Sequence, residues 1–156
     1  MNTRKLICKT VDFKYFLNGL IWFGSACLFF GILSLIISIY NDKQSALSIA
    51  SSFLLLFLIP VTIYYIVRII FLFRHAQDYV VYSAKTIKAD SCVLSLWRSH
   101  SFQLEITKED NETFTAETNG VFHSSVLSSC YFGNYFNQPL QVLYNPNTQT
   151  PLVVAI

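Results

Sequence analysis

The side chains of this chain that are best suited to chemistry are its three histidines and four cysteines. Cys130 follows shortly after His123, and a thiol beside an imidazole base can act as a nucleophile. The surrounding stretch has no glycine motif for an oxyanion hole and no acid at a recognisable spacing to orient the histidine. A surface or satisfied histidine is the better interpretation, so the sequence predicts no catalytic residue and no enzyme activity.

The same residue types do not form a metal-binding pattern. The cysteines are Cys8, Cys27, Cys92 and Cys130. They include no CxxC pair, and no histidine stands at zinc-ligand spacing from them. The acidic cluster Glu109, Asp110 and Glu112 lacks the spacing of a calcium loop and is interpreted as a solvated hairpin turn. The five glycines form no phosphate-binding loop. The sequence therefore predicts no metal and no cofactor.

The composition indicates a membrane protein. Hydrophobic residues make up 53% of the chain and charged residues 13%, and the mean hydropathy is +0.45. A soluble domain carries about 25% charged residues. The net charge of +2 is too small to indicate a surface for DNA or RNA. Membrane lipid and protein are therefore the expected partners, and nucleic acid is not.

Two apolar runs, at residues 16–40 and 46–73, dominate the first half of the chain. Each is longer than the roughly 20 residues that cross about 30 Å of hydrocarbon as an α-helix. The first run exceeds the apolar part of a signal peptide, about 7–15 residues, so a retained helix is expected. Because the connector Asn41–Ser45 is long enough only for a tight turn, the sequence predicts an antiparallel hairpin with spans at about residues 17–40 and 47–73.

Basic residues flank this hairpin unevenly. The amino flank carries four lysine or arginine residues, and the connector has only Lys43. The flank after the second run carries Arg74, Lys85 and Lys88. Because lysine and arginine favour the cytoplasmic side, both termini are predicted to be cytoplasmic. Arg68, near the cytoplasmic end of the second run, and Arg74 are expected to reach the lipid headgroups as membrane-interface residues.

A stripe of small residues lies along one face of the first predicted helix. It comprises Gly24, Cys27, Gly31, Ser34 and Ser38. Small side chains let membrane helices approach closely, so the stripe is predicted to pack against the second helix. Gly31→Leu is then expected to push the helices apart. Contact within a homo-oligomer is the main alternative. A pore lining is a remote one, because the stripe carries no charge.

After the second run the pattern changes to alternation. The segment Phe73–Lys85 is expected to extend the second helix past the bilayer before it breaks. Strands are predicted at Ala89–Trp97 and Phe102–Thr107, separated by a turn at Arg98–Ser101. The polar residues Glu109–Asn111 form a hairpin turn from which a third strand returns.

The chain then closes on a second predicted hairpin. Residues 120–137 have no clean period and are expected to form a short helix or a loop that carries aromatic side chains. Pro139 opens the fourth strand. Asn145 and Pro146 are expected to form a structural turn before the final strand, PLVVAI.

These elements predict an α+β membrane protein with two parts. Residues 1–76 form a transmembrane helical hairpin. Residues 77–156 form a cytoplasmic β domain, expected to be a small antiparallel β-barrel or curled sheet of the OB-like or SH3-like kind. A domain of this size has a marginal core, so docking or self-association would help to stabilise it.

The layout and the closing hairpin resemble bacterial membrane proteins with domain of unknown function 3592. In that family, two membrane helices precede a compact β module that ends on a valine, tyrosine, aspartate-or-asparagine, proline turn before a final hydrophobic strand. The matching residues here are Val142, Tyr144, Asn145, Pro146, Pro151, Val153 and Val154. The family has no settled activity, so the resemblance implies an architecture and no particular chemistry. It also implies a location in a bacterial inner (plasma) membrane.

Three functions fit such a chain. The first is an adaptor or accessory subunit whose β domain binds a partner protein through sheet edges and through the aromatic residues Tyr131, Phe132, Tyr135 and Phe136. The second is an immunity protein that neutralises a bacterial toxin by contact at the inner membrane. The third is a small transport or channel subunit, for which polar side chains along the spans are largely missing. The expected protein partner is accordingly a toxin or a larger membrane complex, with a homo-oligomer as a further alternative.

Overall fold

The computed structural model of the protein describes residues 3–40, 46–92, 99–123, 130–136 and 138–156. The chain divides into two compact units. One unit is Phe16–Phe71, and the other combines Met1–Tyr15 with Leu72–Ile156. The sequence-based division assigned all of residues 1–76 to the hairpin. In the structure the segment before Phe16 belongs instead with the C-terminal part of the chain.

The helices are a short one and two long ones. They are α1 (Thr3–Ile7), α2 (Val11–Tyr40) and α3 (Ala46–Arg74). Many of the large apolar side chains of α2 and α3 are exposed. Helices that are hydrophobic all round occur in the core of a large protein or in a membrane. Both helices are long and apolar enough to cross a membrane. The two predicted spans are thus present as helices, each slightly longer than the sequence indicated.

The helices α2 and α3 pack side by side in opposite directions. Near the start of α2, the Phe16 ring centroid lies 5.1 Å from Cζ of Arg68. Farther along α2, Sγ of Cys27 lies 3.3 Å from Oγ1 of Thr62. Since the contacts step backwards along α3 as α2 advances, the pair is antiparallel, as predicted. The connector, residues 41–45, lies outside the described residues.

The C-terminal part of the chain forms one antiparallel sheet of six strands. The strands are β1 (Val80–Cys92), β2 (Ser99–Thr107), β3 (Thr113–Glu117), β4 (Phe122–His123), β5 (Pro139–Tyr144) and β6 (Pro151–Val153). Their order is β3-β2-β1-β5-β6, and β4 also pairs with β2. The sheet is open, because the described residues of β3 and β6 do not pair with each other. The α+β layout is confirmed, and the OB-like or SH3-like type stays a prediction.

The segment that was expected to extend the second helix forms a strand instead. The helix α3 ends at Arg74, and β1 begins at Val80. Residues Val80–Lys85 pair with β5, and from Ser83 onward β1 also pairs with β2. A short apolar run does not distinguish a helix from a buried strand. The pairing with β5, which lies far away in the sequence, decides the matter here.

The turn predicted at Arg98–Ser101 is strand over most of its length. Residues Ser99–Ser101 pair with Asp90–Cys92, so β2 begins earlier than the alternation in the sequence indicated. The end of the first predicted strand, at residues 93–97, and Arg98 of the predicted turn lie outside the described part of the chain.

The core lies on one face of the sheet. The predicted period of two in β2 is confirmed, because Phe102, Leu104 and Ile106 are buried and the residues between them are exposed. The rings of Phe114 on β3 and Tyr144 on β5 have centroids 4.8 Å apart. The strands β2 and β1 lie between them, and neighbouring strands are about 4.8 Å apart. These rings meet because the sheet curls around its core face.

The segment before Phe16 is attached to the far end of this sheet. Thr10 forms a β-bridge with Val154, and its hydroxyl caps α2 by accepting a hydrogen bond from Phe13 N at 3.2 Å. Asp12, in the first turn of α2, is completely buried. Its Oδ1 accepts a hydrogen bond from Nδ2 of Asn119 at 2.6 Å. The start of α2 is therefore fixed by the β unit.

We expect Asn119→Ala to loosen this attachment. The substitution removes a hydrogen bond to a buried carboxylate, and such bonds are worth about 1.5–3 kcal/mol. The free energy of unfolding should fall by about this amount. Asn134→Ala, at an exposed position, is the matched control. Amide hydrogen exchange of the detergent-solubilised protein measures the effect. Equal protection of the segment before Phe16 in both variants would contradict the expectation.

Candidate functional site

The aromatic segment, residues 130–136, is held against the sheet by its backbone. The N–H of His123 donates a hydrogen bond to the carbonyl of Cys130 at 2.9 Å, and His123 forms a parallel bridge with Tyr131. The chain then turns through a 3₁₀ helix, Phe132–Tyr135. This helix corresponds to the short helix or loop that was expected in this part of the sequence.

The four aromatic residues predicted to contact a partner differ in exposure. Phe136 is 38% exposed, and Tyr131 and Phe132 are half-buried. Tyr135 is 1% exposed and belongs to the core, so its predicted place on the contact surface is wrong. The physical reason is that its ring packs edge-on against Phe122 in the hydrophobic core, with 5.2 Å between the centroids.

Tyr135 anchors the segment to the sheet. The hydroxyl of Thr86 on β1 donates a buried hydrogen bond to the carbonyl of Tyr135 at 2.9 Å. Burial raises the pKa of the Tyr135 phenol and the neighbouring Cys130 raises it further, whereas a hydrogen bond to the backbone of Ile156 acts in the opposite direction. The phenol is therefore neutral at physiological pH. The buried Tyr135 fixes the position of the adjoining Phe136.

Two histidines lie beside the segment in aromatic surroundings. The His100 ring lies 4.6 Å from the Phe132 ring, and the His123 ring lies 5.5 Å from the Tyr15 ring, between centroids. Burial lowers the pKa of His123, and the charge of His100 lowers it further. Among the described residues, Nε2 of His100 is buried without a hydrogen-bond partner. Both rings thus serve mainly as aromatic packing surfaces.

The cysteine–histidine pair weighed from the sequence is poorly placed for nucleophilic attack. Cys130 is 2% exposed and belongs to the hydrophobic core. Reactive thiols are partly exposed and lie in electropositive surroundings. In the part of the chain that the structure describes, no three histidine, cysteine or acidic side chains come together in a way that could hold a metal ion.

The acidic residues at the tip of the β2–β3 hairpin are engaged in the turn. Nζ of Lys108 lies 2.8 Å from Oε2 of Glu112. This contact lowers the pKa of Glu112 and raises that of Lys108. Oδ1 of Asp110 accepts a hydrogen bond from the Glu112 N–H, and Asn111 has a φ of 63°. The cluster is a solvated turn of defined shape.

Asn145 and Pro146 lie between β5 and β6. Asn145 is completely buried, and its Oδ1 accepts a hydrogen bond from the Asn147 N–H at 2.9 Å. Its carbonyl accepts a second hydrogen bond, from the N–H of Gln149. Pro146 is exposed. The asparagine side chain thus stands in for a backbone turn, which is the usual reason for asparagine at such a position.

The predicted helix-packing stripe lies only partly at the contact between α2 and α3. Cys27 reaches the facing helix. A Cβ added to Gly31 would meet no atom within 4 Å, and one added to Gly24 would meet only an atom of its own helix. Ser34 is half-buried and Ser38 is exposed. The structure therefore gives no steric reason for Gly31→Leu to separate the helices.

The close approach occurs instead at Gly19, which the sequence reasoning missed. A Cβ at this position would overlap the ring of Tyr65 on α3. The Tyr65 ring also stacks on Phe23, with centroids 5.6 Å apart. The search for small residues at three- and four-residue spacing passes over Gly19, because Trp22 and Phe23 occupy those positions. A single glycine among large side chains was the sequence signal that could have identified this contact.

The two predicted interface arginines have different surroundings. The Arg68 guanidinium lies over the face of Phe16, as in a cation–π contact. Arg74 is exposed in the last turn of α3, where a positive charge complements the helix dipole. Their contact with lipid headgroups stays a prediction.

Comparison with known proteins identified no relative of this chain. No family model, no curated protein and no solved structure matches this chain. The resemblance of the closing hairpin to domain of unknown function 3592 therefore stays a prediction. Function has to be argued from the geometry of the chain itself.

We expect Gly19→Leu to destabilise the helical hairpin and Gly31→Leu to leave it nearly unchanged. The larger side chain at position 19 must displace Tyr65, and overpacking of this kind costs about 1–3 kcal/mol. The two variants add the same groups to the same helix, so each controls for the other. Thermal unfolding in detergent measures the difference. Equal midpoints of thermal unfolding for the two variants would show that Tyr65 moves aside without a loss of stability.

Proposed function

We propose that this protein is a membrane-anchored binding protein. In this proposal α2 and α3 span a bacterial inner membrane, and the β unit faces the cytoplasm. The β unit contacts a partner protein as an adaptor or accessory subunit and performs no catalysis. The exposed apolar side chains along both long helices support the placement in lipid.

The exposed ring of Phe136 carries the binding part of the proposal. It follows directly on Tyr135, which the Thr86 hydroxyl and the core hold in place. Tyr131 and Phe132, whose ring centroids are 5.1 Å apart, are half-buried in the same segment. Aromatic side chains dominate the energy of many protein interfaces. A ring on a fixed support also loses little conformational freedom when it binds.

The attachment of the N-terminal segment supports the predicted topology. Residues Met1–Tyr15 and Leu72–Ile156 belong to one compact unit, which supports placing both segments on the same side of the membrane. The basic residues that flank the two apolar runs favour the cytoplasm for that side.

In intact cells, we expect a membrane-impermeant maleimide to label Ser45→Cys and to leave the native Cys8 unlabelled. The connector that contains Ser45 should face outward, whereas Cys8 is exposed on the unit assigned to the cytoplasm. Permeabilised cells provide the control, because Cys8 should then react as well. Labelling of Cys8 in intact cells would overturn the proposed orientation.

We expect Phe136→Ala to reduce capture of a partner from solubilised membranes at least tenfold. Loss of an aromatic hot spot costs about 2 kcal/mol or more, and 1.4 kcal/mol corresponds to a factor of ten. Ile87→Ala is the matched control, because Ile87 is 50% exposed and lies on β1, outside the aromatic segment. Quantitative mass spectrometry of the captured proteins measures the effect.

Two outcomes of this capture experiment are decisive. Equal recovery of the partner with both variants would show that the aromatic segment does not bind it. Recovery of a toxin as the protein that depends on Phe136 would favour neutralisation over an adaptor role.

A further inference from the structure

The edges of the sheet differ in how they are covered. The edge at β6 is continued by the bridge between Val154 and Thr10. The edge at β4 is continued by the bridge between His123 and Tyr131. The strand β3 pairs with β2 on one side, and among the described residues no strand pairs with its other side. Within the described residues, one edge of the sheet is thus left open.

The hydrogen-bond phase of the β2–β3 ladder shows which groups face this open edge. The Thr118 N–H donates to the Phe102 carbonyl, and the Lys108 N–H donates to the Glu112 carbonyl, both at 2.9 Å. Both pairs fit the register of the β2–β3 ladder. In an antiparallel ladder, hydrogen-bonded and non-hydrogen-bonded pairs alternate. The even-numbered residues of β3 therefore bond to β2.

It follows that Thr113, Thr115 and Glu117 direct their backbone N–H and C=O groups away from β2. Their side chains are exposed as well, whereas Phe114 and Ala116 are half-buried on the core face. The strand thus offers a row of backbone donors and acceptors that no other described strand uses.

This edge lacks the features that commonly prevent pairing between molecules. Such features include lysine, proline and β-bulges in the edge strand. The sequence of β3 is TFTAE, and its register with β2 runs without a shift. Glu117, at one end of the strand, is its sole charged residue. The strand is extended, nearly uncharged and regular.

We propose that β3 pairs with β3 of a second copy of this chain, antiparallel and about a twofold axis at Thr115. In this register Thr115 faces the partner's Thr115, and Thr113 faces the partner's Glu117. Each facing pair exchanges two backbone hydrogen bonds, because these residues carry the outward groups. The two sheets then continue into one.

An axis at Thr115, the central residue of β3, pairs the full length of both strands, whereas an axis at Phe114 or Ala116 leaves one end of each strand unpaired. An axis at Glu117 would place two carboxylates opposite each other, which is unfavourable. An axis at Thr113 would require Asn111 to pair, but its φ of 63° is not that of extended backbone. With the axis at Thr115, no charge faces a like charge.

The core face of the strand also favours a second copy as the occupant. In this register the half-buried Phe114 lies beside the partner's Ala116, at a non-hydrogen-bonded pair where side chains approach most closely. The strand thus matches itself in hydrogen-bond phase, charge and side-chain size. This pairing uses a different part of the sheet from the aromatic segment, so it does not depend on the proposed function.

A cross-linking experiment on the full chain tests the pairing directly. Thr115→Cys in a Cys8→Ser background should be joined between two chains by a short bifunctional maleimide. Facing Cα atoms of a hydrogen-bonded pair are about 5.5 Å apart, which is within reach of such a reagent, whereas their Cβ atoms are too far apart for an unstrained disulfide. Gln103→Cys, exposed on the neighbouring strand β2, is the matched control and should stay uncrosslinked. Absence of the cross-link at position 115, or equal cross-linking at both positions, would overturn the proposal.

The mass of the detergent-solubilised protein, from light scattering, provides the second test. We expect a dimer for the native chain and a monomer for Thr115→Pro, which removes an outward N–H without removing a bond to β2. Thr115→Lys should also be monomeric, because two like charges would then face each other. It replaces the proline variant if circular dichroism shows that the latter has lost its sheet.

The remaining outcomes are decided by the same two measurements. A native monomer would overturn the pairing, and so would a dimer that persists in folded Thr115→Pro and Thr115→Lys, which would place the contact on another surface. A native monomer that loses its protein partner in Thr115→Lys would mean that the edge takes a different chain. Loss of partner capture in Phe136→Ala alone leaves the dimer intact and concerns the proposed function only.

Discussion

The structure depends on the attachment of the segment before Phe16 to the sheet. A carboxylate is stable inside a protein only with favourable partners, and Asp12 has the first turn of α2 and the amide of Asn119. Two residues earlier, Thr10 continues the edge at β6 and caps the helix. One short stretch of chain thus closes a sheet edge and fixes the residue at which α2 begins.

The two units differ in how much of their apolar surface is buried within the chain. The strands alternate, so that Phe102, Leu104 and Ile106 form a core while polar side chains cover the other face. The helices α2 and α3 have no such division, and their large apolar side chains remain exposed around the pair. In lipid, such side chains would contact hydrocarbon and not water, which would remove the cost of their exposure. The sheet in turn provides the rigid support for the aromatic side chain of Phe136.

Local sequence patterns predicted the elements that local residues decide. Two uninterrupted apolar runs indicated α2 and α3, and alternation around a polar turn indicated the β2–β3 hairpin. The errors occur where distant residues decide. Val80–Lys85 is a strand because β5 pairs with it, and Tyr135 is buried because Phe122 and Thr86 receive it. Likewise, the contact at Gly19 depends on where a tyrosine of α3 lies.

The bridge between Thr10 and Val154 also has a consequence for the order of folding. The two residues are separated in synthesis by both long helices and the rest of the sheet. At 5–20 residues per second, ribosomes need on the order of ten seconds to make that stretch. During this interval the N-terminal segment has no strand to join, and the apolar helices emerge before the sheet does. The N-terminal segment is synthesised early and joins a strand that is synthesised late, so this pairing completes the unit. A contact between residues so far apart in the sequence forms slowly.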